Sequence, residues 1–121
     1  MDHKKPDVAL PDYKESAFHL SAKGQTIDYW HALIKSLEGH AQTKGEKAVI
    51  YIVDTAAEWT HDDIQPLGNQ FGADFYNEDE PDGHGHGHLC AGVAGAMDNA
   101  QGVIGVAPAA LLVPVRGLNR N

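Results

Sequence analysis

The chain has 121 residues, 42% of them hydrophobic and 21% charged, and its 9 lysines and arginines face 17 acids for a net charge of −8 with histidine neutral. This is ordinary globular composition, enough for one modest domain, and it excludes a disordered chain. There is no basic stripe, so neither nucleic acid nor an anionic membrane surface is expected as a partner.

A single cysteine, Cys90, excludes an internal disulfide framework and leaves the compartment open. No apolar core of signal-peptide length follows the start of the chain. No run of the sequence is long enough to span a bilayer. Residues 1–27 are polar, with Pro6 and Pro11 breaking any helix, and are expected to form an irregular N-terminal arm. The remainder, 28–121, is expected to form the structured part.

Asp28 stands as an N-cap ahead of Tyr29, Trp30, Leu33, Ile34 and Leu37, apolar positions recurring at three and four residues, with Gly39 near the end. The pattern predicts an amphipathic helix over about 28–39 with its aromatics in the core. After a polar loop at Gln42–Lys47, the β-branched run Ala48–Val53 predicts a strand buried on both faces. Asp54 follows directly, at the carboxyl end of that strand, where open α/β sheets build their sites. Thr55–Pro66 is a turn-rich connection, and Phe71–Tyr76 could supply a short strand. The acidic run from Asp74 to Asp82 is expected to be solvated surface.

Asp82-Gly-His-Gly-His-Gly-His-Leu-Cys-Ala-Gly-Val-Ala-Gly95 is the most informative stretch. His84, His86 and His88 alternate with glycines, which permit tight or left-handed backbone and close approach of another segment. Leu89–Ala96 then predicts the first turns of a buried, tightly packed helix. Three readings fit the repeat by itself. It could be a solvated loop, a zinc, nickel or copper site on the three imidazoles, or a catalytic imidazole mounted at a helix mouth. Downstream, Met97–Val103 interrupts the helix, and Leu111–Val115 predicts a second strand despite Pro114, which cannot donate to a ladder.

Four segments, in order, resemble the subtilisin-like serine proteases. Val49-Ile-Tyr-Ile-Val-Asp-Thr55 is similar to the strand and Asp-Thr/Ser-Gly motif of that family, and His61-Asp-Asp-Ile64 to its His-Pro-Asp-Leu. Gly85-His-Gly-His-Leu-Cys-Ala-Gly92 resembles Gly-His-Gly-Thr-His-Cys/Val-Ala-Gly. Asp98-Asn-Ala-Gln-Gly-Val-Ile-Gly-Val-Ala-Pro108 resembles Asn-Asn-x-x-Gly-Val-x-Gly-Val-Ala-Pro. The match covers about residues 46–118. It implies a three-layer α/β/α fold with a mostly parallel sheet, of which this chain carries the N-terminal half only.

The resemblance implies serine-type endopeptidase chemistry on a peptide or protein substrate. His86 would be the general base and Asp54 the group that orients it. Counting back from Ala91-Gly92 selects His86 over His84 and His88. The family's calcium loop maps onto Asn99 and the carbonyls of Met97, Gln101 and Val103, with Asp63 as a carboxylate ligand, an oxygen set suited to Ca²⁺. Leu118 matches a residue that borders the substrate cleft in the family.

Three positions depart from the family pattern. Ala56 replaces a glycine, a costly change if that residue needs positive φ. His88 replaces a threonine and Leu89 a histidine. Cys90 matches one branch of the family and is expected to be a small buried side chain.

Nothing like the family's nucleophilic Gly-Thr-Ser-Met-Ala occurs in the 121 residues. The expectation is therefore an N-terminal portion whose C-terminal half is supplied in cis or in trans, or else an inactive binding domain on the same scaffold.

Overall fold

A computed structural model describes residues 19–20, 24–64 and 71–119. In chain order the elements are β1 (His19–Leu20), β2 (Thr26–Ile27), α1 (Tyr29–Ile34), α2 (Ser36–His40), β3 (Val49–Asp54), β4 (Ala73–Asp74), α3 (His86–Gly95) and β5 (Leu111–Arg116). The central sheet runs β3–β5–β4 with both pairings parallel, Val49–Asp54 beside Leu111–Arg116 and Ala73 beside Val115. Helix α3 packs on β3 and β5. The fold is α/β. Its core gathers Ala56, Trp59, Ile64, Ala91 and Leu112, with Ile50 and Ile52 against them. The buried Trp59 indole N–H donates to the Leu112 carbonyl at 2.9 Å, so the core carries no orphan donor there.

Strand β3 was expected to be covered on both faces, and it is not. Ile50 and Ile52 turn inward, whereas Val49, Tyr51 and Val53 stand 49%, 62% and 64% exposed. Successive side chains point to opposite faces, and among the described residues only the α3 face has a cover.

Pro114 is accommodated at the centre of the sheet for a related reason. The Leu111 amide donates to Ala48 O, so Leu111, Val113 and Val115 present their amides to β3. The N–H that Pro114 lacks would point the other way, where pairing to β4 starts only at Val115.

The helix expected over 28–39 divides at Lys35, which takes a left-handed conformation (φ 56). Asp28 does cap it, accepting from the Tyr29 amide at 2.7 Å. The division brings Ser36 Oγ to His31 Nδ1 at 2.5 Å, while His31 Nε2 donates to Ile104 O at 2.8 Å. That buried imidazole docks the element together with His40, whose Nε2 donates to Val106 O at 2.8 Å, and burial holds the His31 pKa below the ordinary value. The expected apolar stripe is not core: Tyr29, Leu33 and Ile34 are all more than half exposed.

The polar arm expected through residue 27 lies largely outside the described residues. At its end, however, β2 pairs antiparallel with β1, and Thr26 N–H donates to Gly102 O at 2.8 Å. Gln25 is fully buried.

Candidate active site

Asp54 closes β3 beside Arg116 of β5, is only 8% exposed, and so has its carboxylate fixed by the sheet. Helix α3 starts at His86 after Gly85, whose φ of 84 sets the chain into the helix. The approach is close. A Cβ on Gly87 would stand 2.7 Å from the Ala56 nitrogen, so only glycine lets α3 lie against the end of β3.

That approach puts His86 Nδ1 2.8 and 2.9 Å from the two Asp54 oxygens. The Thr55 amide donates to Asp54 Oδ1 at 2.7 Å. Burial alone would raise the Asp54 carboxyl, but the hydrogen bonds from His86 and the Thr55 amide override it and hold the pKa below the usual value. In the neutral ring the proton sits on Nδ1, facing the carboxylate, so the basic lone pair is at Nε2. The His86 side chain is 46% exposed, which leaves that edge reachable.

Cys90 Sγ lies 3.6 Å from His86 Nδ1 and 3.9 Å from Nε2. Burial, then the Asp54 charge, raises its thiol pKa, which keeps it protonated and a poor nucleophile. It is half-buried rather than buried as expected.

The three histidines do not converge. His86 and His88 are two residues apart on one helix, so they project from nearly opposite sides of it. His88 Nδ1 donates to Asp82 at 2.8 Å and its Nε2 accepts from the Thr60 amide at 3.1 Å, which occupies both ring nitrogens. The transition-metal reading of His84, His86 and His88 therefore fails. Among the described residues the one group of three His, Cys, Asp or Glu side chains with metal-ligand spacing is Asp54, His86 and Cys90. Leu89, expected in a buried helix face, is 72% exposed, whereas Ala91 and Ala96 are buried.

Ala56 is fully buried and is not among the residues with positive φ, so its methyl is tolerated and packs against Gly87. The acidic run is not plain solvated surface either. Arg116, fully buried, donates to Asp74 at 2.9 Å, to the Pro81 carbonyl at 2.6 Å and to the Glu80 carbonyl, drawing the loop inward.

The loop after α3 brings Met97 O, Gln101 O, Val103 O and Asn99 Oδ1 to 2.8, 2.9, 3.2 and 3.4 Å from one atom, Nε2 of Gln25. Four acceptors surround an amide nitrogen that has two hydrogens to give. Asp63 Oδ1, next to them, is buried with no hydrogen-bond partner, while its Oδ2 accepts from the Val103 amide at 3.0 Å. The five positions expected to act together are thus on one loop and its neighbour. Gln25 was missed, since no local pattern marks a residue that enters the loop from over 70 positions away. Leu118 is half exposed, and its amide donates to Asp54 O at 3.1 Å, at the same end of the sheet as the imidazole.

A carboxylate at the end of a parallel strand, joined to an imidazole opening the next helix, defines an α/β protein with a carboxylate–histidine pair. Residues 45–121 match the model of the subtilase family, and the chain belongs to that family of serine-type endopeptidases. It is 39% identical over 98 residues to subtilisin DY of Bacillus licheniformis, covering 78% of this chain and 35% of the relative. Subtilisin E of Bacillus subtilis is 33% identical over 120 residues, 96% of this chain and 30% of that protein. Thermitase of Thermoactinomyces vulgaris is 39% identical over 82 residues, 64% of this chain and 29% of that protein. The chain spans about a third of the length of the curated relatives it matches. Among the described residues, no helix is long and apolar enough to cross a membrane.

Proposed function

We propose that the protein hydrolyses peptide bonds by serine acyl transfer, with His86 as general base and Asp54 holding its tautomer and stabilising the imidazolium. The observation that carries this is the pair of 2.8 and 2.9 Å contacts from His86 Nδ1 to Asp54, on a side chain that is 46% exposed. Nε2 takes the proton of a serine hydroxyl as its oxygen attacks the substrate carbonyl, then returns it to the leaving amine. The serine and its oxyanion donors belong to the C-terminal part of the domain, joined in cis or supplied in trans. Leu118, exposed beside Asp54, would line the cleft next to the reacting carbonyl.

The oxygen cluster after α3 would hold a structural Ca²⁺ through Asn99, Asp63 and the carbonyls of Met97, Gln101 and Val103. Half a turn of the Gln25 amide replaces its nitrogen with Oε1 and completes an all-oxygen set, the donor chemistry a hard cation takes. A bound cation would tie Gln25 and β2 to the loop that follows the catalytic helix, and take no part in proton transfer.

The test is active-site labelling of the full protein with a fluorophosphonate. Labelling that His86→Ala abolishes supports the reading. A folded full protein that takes no label would instead be a non-catalytic domain on a protease scaffold.

A further inference from the structure

The site holds a second buried carboxylate, Asp82, whose side chain is 1% exposed. Its Oδ1 accepts from the Thr55 hydroxyl and the Gly85 amide, both at 2.8 Å. Its Oδ2 accepts from the His88 amide at 2.9 Å and from His88 Nδ1–H at 2.8 Å. Thr55 Oγ in turn accepts from the Gly87 amide at 2.9 Å. The amides of Gly85, Gly87 and His88 belong to the entry of α3, where a helix leaves donors without partners and favours negative charge. Gly85, the N-cap, has no side chain to satisfy them. Asp82, three residues earlier, does so for Gly85 and His88, and Thr55 Oγ does so for Gly87.

The network also spans the pair it surrounds. Thr55 follows Asp54 and donates its own amide to that carboxylate, while Gly85 and Gly87 flank His86. Asp82 therefore joins the backbone beside the acid to the backbone on both sides of the base. His88 extends the clamp, because its Nε2 accepts from the Thr60 amide and its ring meets Trp59 edge-on at 5.5 Å. A side chain as short as threonine could not make both contacts.

We propose that Asp82, acting with Thr55 and His88, is a positioning residue for His86: a second carboxylate–imidazole pair that locks the helix mouth onto the end of β3. The inference rests on the assignment of Asp54 and His86 as the acid–base pair. Without the clamp, the Asp54–His86 distance would be held by their own contact and by the packing of Gly87 on Ala56, and a misplacement of about 1 Å costs on the order of 100-fold in rate.

Asp82→Asn keeps an acceptor for Thr55 and Gly85 but turns an NH₂ towards the two His88 donors. In the full protein, kcat on a peptide substrate should fall about 10- to 100-fold with KM little changed. The downfield proton resonance of His86 Nδ1–H should move or broaden. A merely structural role would lower thermal stability and leave that resonance in place. Thr55→Val, which removes one link, should give a smaller loss of the same kind, and Thr55→Ser should restore it.

Parental kcat and a parental His86 resonance in folded Asp82→Asn would overturn the proposal. Should that variant fail to fold, Thr55→Val decides in its place, and parental values there overturn it equally. If instead His86→Ala retains full hydrolysis, the acid–base reading fails, while the His86 resonance in Asp82→Asn still reports on positioning.

Discussion

The α-carbon of Gly87 lies so near Ala56 that an added Cβ would come within 2.7 Å of the Ala56 nitrogen and 2.8 Å of its methyl. Neither is the flexible end of a side chain, so a substitution must push α3 away from the end of β3. Gly87→Ala is therefore expected to destabilise by about 1–3 kcal/mol through overpacking, and to lower kcat by about 100-fold as His86 leaves Asp54. Gly92, in the same helix, has nothing within 4 Å of an added Cβ. Gly92→Ala should be neutral or stabilise by up to about 1 kcal/mol. Urea unfolding of the two variants side by side checks the contrast.

The calcium loop makes a separate prediction. Ca²⁺ should raise the melting temperature of the full protein and a chelator should lower it, because a ligand that binds only the folded state stabilises by mass action. Gly102 has φ 59, and a Cβ there would stand 2.3 Å from Asp63 Oδ2. Gly102→Ala should therefore lower the melting temperature and abolish the Ca²⁺ dependence together. Loss of stability with an unchanged Ca²⁺ response would place the cation elsewhere.

Acid stability follows from Asp82. Burial would raise its carboxyl, but the hydrogen bonds from His88, Thr55 and the Gly85 amide win and hold it at about 2, against an ordinary value of 3.8. The folded value lies below the unfolded one. Its contribution, on the order of 2 kcal/mol, is thus complete above the unfolded pKa and is lost as pH falls towards the folded one. Asp54 acts in the same direction. Unfolding free energy measured from pH 5 to pH 2 should fall steeply in the parent and less steeply in Asp82→Asn. Equal slopes would contradict the clamp geometry.

Local chemistry made part of this legible and tertiary docking hid the rest. The β-branched run ending at Asp54, the small apolar run leading to Ala96 and the interruption after α3 are patterns of adjacent residues, and each appears in the fold as an element or a join. Burial on both faces of β3 could not be read. A continuous apolar run looks the same whether or not its second face has a cover, and Val49, Tyr51 and Val53 have none among the described residues. The division of the first helix had no glycine or proline to announce it and falls at Lys35, beside the contact of Ser36 with the buried His31. Asp82 read as one more member of an acidic loop, and Gln25 as part of a polar arm. Asp82 is held by Thr55, 27 positions away, as well as by the helix mouth that follows it, and Gln25 by a loop 72 positions away.

The most direct measurement is turnover of a peptide substrate by the full protein and by His86→Ala and Asp54→Asn. Loss of the base, or of the group that sets its tautomer, should each reduce kcat by about 10⁴-fold or more at neutral pH with KM nearly constant. Turnover within a few-fold of the parent in either variant would contradict the assignment of proton transfer to this pair.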